Sequence, residues 1–366
     1  MEQSTVIYNK KDKNFQLDGH KLIYHIDRLN DYLQNDDCYP IYMEISPVGS
    51  CNHRCVFCAY DFIGYPNRKL EKDRTLKFIE EISSAGIKSV LFAGEGEPLL
   101  HPNIADLVHH AKMNNIDVGM FSNGQLLKKE LAEKILPDLT FLRFSFNAGN
   151  SRTYSEIHKV SEKVFNKVIT NIKTACEIRK REKFNVDLGA QFVLLPENKD
   201  SLFEAVKAIK ETGADYFVIK PFVHQSEQQG YEMKEQIHEN ELAEIEEKLH
   251  KFCSDNFDVQ LRISAFENTG ERNYEHCYGT SFISAINSAG DIASCLPYWD
   301  KEEFVFGNIY ESSFSEIWRS KRRKKIKNYL EHDCNVHNCP TNCRPDAANK
   351  FLWELKNPKL KHLNFI

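Results

Sequence analysis

Residues 41–58 read Ile-Tyr-Met-Glu-Ile-Ser-Pro-Val-Gly-Ser-Cys-Asn-His-Arg-Cys-Val-Phe-Cys. A short, mostly apolar run over 41–45 predicts a buried strand, and Pro47 and Gly49 predict the turn that ends it. Cys51, Cys55 and Cys58 follow, spaced by three and then two residues. Three thiols on one loop leave a metal centre one ligand short, and a small molecule can complete such a centre. The spacing therefore points to a reaction site.

Outward from this stretch, the same grammar recurs. Apolar runs at 89–93, 117–121, 142–146, 189–195 and 216–219 alternate with amphipathic stripes. Leu76, Ile79 and Ile82 keep helical spacing and stop at Gly86. Leu107, Val108 and Ala111 form a second stripe, and Val164, Val168 and Ile172 a third. Leu202, Val206 and Ile209 end at Gly213. Six strand–helix units place the chain in the α/β class and predict an open, partial (β/α)6 parallel barrel over residues 41–255. Residues 1–40 read as a polar lead-in with one helix near 24–33. The cysteine loop follows the first strand, at the end where such barrels gather their reactive groups.

From residue 256 to 366 the pattern changes to a small α+β unit. Ala-Ile-Asn-Ser-Ala-Gly-Asp-Ile-Ala, within 282–294, predicts a β-hairpin flanked by Cys277 and Cys295. A helix is expected from about Ser313 through Trp318 and the basic stretch 319–325, read as a solvated face. The net charge of −5 argues against a nucleic-acid surface. The start of the chain shows no signal peptide, and no apolar run reaches 18 residues, so a cytoplasmic protein without a membrane partner is expected.

Disulfides are rare in that compartment, so the 11 cysteines call for another account. Cys176 and Cys253 continue apolar helix faces and read as core, and Cys38 lies in a loop. The others form two groups: Cys51, Cys55 and Cys58, then Cys277, Cys295, Cys334, Cys339 and Cys343. Structural zinc prefers four closed ligands, commonly in paired C-x2-4-C spacing. Clustered thiolates mark iron–sulfur sites, and three of them can hold three irons of a cubane and leave the fourth open.

The C-x3-C-x2-C triplet, with Phe57 before its last cysteine, resembles the radical S-adenosylmethionine (SAM) superfamily. In that family the methionine amine and carboxylate chelate the open iron of a [4Fe–4S] cluster, and the aromatic packs near the adenine. Ala93-Gly94-Glu95-Gly96-Glu97-Pro98 resembles the family's glycine–glutamate motif, with Glu95 separating the glycines. The resemblance implies that Gly94 and Gly96 let the backbone approach the methionine moiety and that Glu97 receives its ammonium. It further implies cofactor contacts from Ser122, Asn123, Ser145, Asn147 and Gln191 at the strand ends. Cys277, twelve residues, Gly290, four residues and Cys295 resemble the opening of a SPASM or twitch domain. That implies one auxiliary [4Fe–4S] cluster on Cys277, Cys295, Cys339 and Cys343, with Cys334 as the substitute.

The implied reaction starts with an electron from a donor such as flavodoxin or ferredoxin. A 5′-deoxyadenosyl radical then takes hydrogen from an unactivated carbon. An auxiliary cluster tilts the expectation toward a two-electron oxidation of a small polar metabolite of sugar or aminosugar type. Lys220, His224 and Tyr298 are the candidates for accepting the hydroxyl proton. A peptide-modifying SPASM maturase is the alternative. A zinc-stabilised binding protein with purely structural cysteines is the alternative from a different class.

Overall fold

The computed structural model describes residues 6–7, 20–224, 231–233, 237–268, 270–298, 301–359 and 361–365. Its strands are β1 (Val6–Ile7), β2 (Tyr42–Ile45), β3 (Ser89–Phe92), β4 (Asp117–Ser122), β5 (Phe141–Ser145) and β6 (Asp187–Leu194). They continue with β7 (Tyr216–Pro221), β8 (Asp258–Leu261), β9 (Ile283–Ile286), β10 (Asp291–Ala293) and β11 (Val305–Asn308). All belong to one sheet, ordered β1-β8-β7-β6-β5-β4-β3-β2-β9-β10-β11. The six expected strands are β2 to β7, each parallel to the next. The partial barrel expected from the repeats is the arrangement found.

Two features extend it. β8 adds another parallel strand beside β7, and β1 pairs antiparallel with β8. Asp258 and Gln260 are buried polar residues, so β8 has no apolar run to mark it in the sequence. On the other side, β9 runs parallel to β2 with Tyr42 opposite Ile283. The hairpin β9–β10 is therefore bonded to the barrel sheet and adjoins the strand that leads into the cysteine loop.

Local chemistry sets the elements. The helix Lys72–Ser84 begins at Glu71, whose carboxylate accepts from Asp73 N at 3.1 Å and Arg74 N at 2.7 Å. It buries Phe78, Ile79 and Ile82 and ends before Gly86, at φ +82°. Inside the barrel, Gly119 and Gly189 make room for rings from neighbouring strands. A Cβ there would come within 2.4 Å of Phe141 and 2.3 Å of Tyr216. Both rings sit at the first residue of their strands, so they fill the barrel away from the cysteine loop.

The single helix expected from Ser313 is two, Phe314–Arg319 and Lys321–His332, because the Ser320 hydroxyl caps the second by accepting from Arg323 N at 3.1 Å. The solvated basic face is corrected at one position. Arg323 is 1% exposed, meets Asp37 through two 2.7 Å hydrogen bonds, and lies 3.9 Å over the Trp318 ring. A guanidinium whose two Nη groups are paired can be buried, and this one ties the lead-in to the C-terminal unit. Arg319, Lys321, Arg322, Lys324 and Lys325 are exposed, as expected. No helix among the described residues is long and apolar enough to cross a membrane.

Candidate active site

The cysteine loop is held from two sides. Arg54 N and Val56 N donate to His158 O (3.0 Å) and Ile157 O (2.9 Å) at the end of the helix Ser151–His158. Glu97 N donates to Ser50 O at 3.0 Å. A Cβ on Gly96 would lie 2.1 Å from Ser50 O, so glycine here lets the turn after β3 close onto the cysteine loop.

Burial pushes the Cys51 thiol up to about 12 and raises Cys55 and Cys58 as well. For Cys55 the neighbouring thiols Cys58 and Cys51 add to the rise. Burial keeps these thiols neutral until a metal binds, and a bound cluster would take them as thiolates.

Cys55 has a partner that sequence reading did not find. His158 Nδ1 lies 3.1 Å from Cys55 Sγ, and its ring stacks on Tyr154 at 4.2 Å. Val193 N donates to Asn147 Oδ1 at 2.6 Å, which turns Asn147 Nδ2 toward His158 Nε2 at 3.5 Å. Burial first, and His53 second, hold the His158 ring well below its usual value, so it is neutral. With Nε2 accepting, the hydrogen resides on Nδ1 and points at the sulfur. Asn147, expected at the cofactor, is engaged in this relay.

Glu97 is buried, and both its oxygens meet the chain's own donors. Oε1 accepts from Ser122 Oγ at 2.7 Å and Leu99 N at 3.1 Å, and Oε2 from Asn123 N at 2.7 Å. Burial raises its carboxyl, and these three donors offset only part of that rise. Glu95, between the glycines, joins Arg68 at 3.0 Å and the Ser288 backbone at 3.2 Å in the hairpin turn. It ties the barrel to the second unit.

In that unit, burial raises Cys295, and next come Cys343, Cys277 and Cys339. Cys343 is likewise raised by burial, then by Cys277 and Cys339. These four thiols thus lie in one another's field. Cys334 hydrogen-bonds Cys339 and draws that thiol down. Asn349 Nδ2 donates to Cys277 Sγ at 3.4 Å, and Arg272 Nη2 to Pro340 O at 2.7 Å. Among the described residues, the ligand atoms that all lie within 4.8 Å of one another are those of His53, Cys55 and His158. Tetrahedral zinc would draw its sulfurs to about 3.8 Å of one another. Neither cysteine group has, among the described residues, three sulfurs that all lie within 4.8 Å of one another, which fits a cubane better than a single zinc ion.

Both groups reach one cavity of about 420 Å³, lined by Cys51, Cys55, Cys58 and Cys343. Phe57, Gly94, Gly96, Glu97, Ser122, Asn123, Ser145 and Gln191 line it too. So does Lys220, whereas His224 is exposed beside Phe222 and Tyr298 stacks on Phe304 at 4.9 Å, both outside the lining. Three charged lining residues escaped the sequence reading: Glu44, Arg262 and Arg344. Arg344 meets Glu44 at 3.0 Å and the Tyr42 hydroxyl at 2.9 Å. A charge inside the run Tyr-Met-Glu-Ile was the legible signal for Glu44. Burial, then Arg143, Arg262 and Arg344, push Lys220 down to about 7.

A parallel partial barrel with a thiol triplet at its mouth, joined to a hairpin unit with four converging thiols, defines an iron–sulfur enzyme architecture. Residues 45–219 match the radical SAM superfamily, and residues 277–344 match the SPASM iron–sulfur cluster-binding domain. The chain belongs to the radical SAM superfamily and carries a SPASM domain behind its barrel. SAM, a [4Fe–4S] cluster and auxiliary iron–sulfur are the cofactors of these domains.

The chain is 22% identical over 316 residues to the tungsten-containing aldehyde ferredoxin oxidoreductase cofactor-modifying protein of Pyrococcus furiosus, covering 80% of this chain and 85% of that one. It is 24% identical over 322 residues to the AdoMet-dependent heme synthase of Methanosarcina barkeri, covering 79% and 86%. Among solved structures, Streptococcus suis SuiB bound to precursor peptide SuiA shares the fold. The TM-score is 0.65 at 17% identity, over 86% of this chain and 74% of that one.

Proposed function

We propose that this chain removes a hydrogen atom from an unactivated carbon of a small polar metabolite, of sugar or aminosugar type, and completes a two-electron oxidation. The supporting observation is that Cys51, Cys55, Cys58 and Cys343 line one cavity, so a substrate there lies between the two cysteine groups. Bound SAM and its cluster supply the hydrogen-abstracting radical, and the auxiliary cluster supplies an acceptor for the remaining electron.

The chain's own residues hold and orient. Cys51, Cys55 and Cys58 ligate the cluster that takes SAM. Cys277, Cys295, Cys339 and Cys343 ligate the auxiliary one, with Cys334 hydrogen-bonded to Cys339. Phe57, Gly94, Ser145 and Gln191 line the SAM side, and Gln191 Nε2 donates to Ser145 Oγ at 3.3 Å. The Glu97 bonds to Ser122 and Asn123 fix the strand ends beneath it. The charged side chains Glu44, Lys220, Arg262 and Arg344 in the lining favour a polar substrate, and only a closely oriented C–H reacts productively.

The protein, reconstituted anaerobically with iron and sulfide, is to be given SAM and a reductant such as reduced flavodoxin. Formation of 5′-deoxyadenosine establishes the radical step. A sugar or sugar nucleotide that loses two mass units, with one equivalent of 5′-deoxyadenosine, establishes the substrate class. Turnover of a peptide instead makes the chain a maturase, and zinc in place of iron ends the enzyme reading.

A further inference from the structure

We infer that Lys220 and Arg262 form an anion-binding subsite at the barrel mouth, which holds a carboxylate or phosphate group of the substrate. This rests on the cavity being the place of reaction. β7 and β8 pair with Ile219 opposite Leu261, and Arg262 N donates to Ile219 O at 3.0 Å. Lys220 and Arg262 are therefore the next pair in register across two parallel strands, and both line the cavity.

Like charges at facing strand positions repel, and a recessed site screens them poorly. Lys220 Nζ makes no hydrogen bond or ion pair with any described residue. Arg344 adds a third cation to the lining. Glu44, paired with Arg344 at 3.0 Å, carries one negative charge against these three cations. Lys220 thus gains no pairing from the fold while Arg262 and Arg344 line the same cavity, and an anion on the substrate would relieve the repulsion.

A second atom constrains the ligand further. Glu44 Oε2 is buried without a hydrogen-bond partner, in a residue 4% exposed that lines the same cavity. It calls for an O–H or N–H donor near the anion. Hydroxy acids and phosphorylated sugars both carry that pair of groups. Lys220 then serves to hold the substrate's anion, not to take up its proton.

The test is calorimetric binding of inorganic phosphate and of malate to the reconstituted protein. At least one probe is expected to bind, and Lys220→Met and Arg262→Gln are each expected to weaken it about tenfold or more, with Lys220→Arg restoring most of the loss. Phosphate preferred over malate identifies a phosphorylated substrate, and the reverse a carboxylic acid; either supports the subsite. SAM affinity, iron content and melting temperature of the variants are measured alongside. The subsite is overturned if neither probe binds, if both variants bind as the parent does, or if SAM affinity falls in step with probe affinity, which would place the cofactor's own carboxylate there. No arm depends on SAM cleavage, so failure of the subsite and failure of the proposed reaction are read separately.

Discussion

His158 Nδ1 lies 3.1 Å from Cys55 Sγ, with its hydrogen aimed at the sulfur by Asn147 on the far side of the ring. A hydrogen bond to a thiolate ligand stabilises the reduced, more negative cluster. His158→Phe is expected to retain iron and lower the cluster's midpoint potential. A tenfold change in the reduction equilibrium corresponds to about 59 mV for one electron. A redox titration followed by electron paramagnetic resonance checks the shift. Asn147→Leu, which releases the ring without removing it, is expected to shift the potential the same way by less.

Replacing Cys51, Cys55 and Cys58 together by Ala removes one of two cubanes. Iron should fall from about eight to about four per chain, and 5′-deoxyadenosine formation should vanish. Cys295→Ala should also lose about four irons yet leave uncoupled SAM cleavage. Metal analysis and chromatography of the nucleoside product check both.

Glu97 binds one hydroxyl and two backbone N–H groups through its two oxygens. Glu97→Gln turns one acceptor into a donor and leaves at least one buried group unpaired, at a cost of about 1–3 kcal/mol. Chemical unfolding of the metal-free protein should show this loss of stability in addition to any effect on SAM binding.

Asp37→Ala strands the Arg323 guanidinium, which is 1% exposed. Breaking a buried pair from one side costs about 3–5 kcal/mol, and the half-exposed carboxylate places this case at the low end. The double variant Asp37→Ala, Arg323→Met should recover part of that loss, because the second change removes the stranded charge. Denaturant titrations of the single and double variants measure the difference.

Lys220 is charged below about 7 and neutral above it, owing to burial and to Arg143, Arg262 and Arg344, with Glu44 acting in the opposite sense. Malate keeps its charge from pH 6 to 8, so its binding should weaken as pH rises through that range. At pH 8, binding should take up a proton at Lys220, which the dependence of the calorimetric heat on buffer ionisation reports. A flat affinity from pH 6 to 8 would count against Lys220 as the anion's partner.

The barrel, the hairpin unit and the two cysteine groups could be read from the chain before any contact was known. Strand runs, helical stripes and thiol spacing are local patterns, and each is set by residues a few positions apart. Glu97 was legible in the same way, as part of a contiguous motif, although its engagement by Ser122 and Asn123 was not. The tertiary structure alone decided what lies between the cysteine groups. Lys220 and Arg262 meet because β7 and β8 pair in register, Arg344 reaches Glu44 across 300 positions, and His158 reaches Cys55 across 103. Such contacts come from strand pairing and from the ends of helices that close over the sheet, and no periodicity along the chain records them. The same cause hid Arg323, whose basic neighbours face solvent while it alone turns inward to Asp37. Local spacing sets which chemistry the chain can hold, and packing sets which charges surround it.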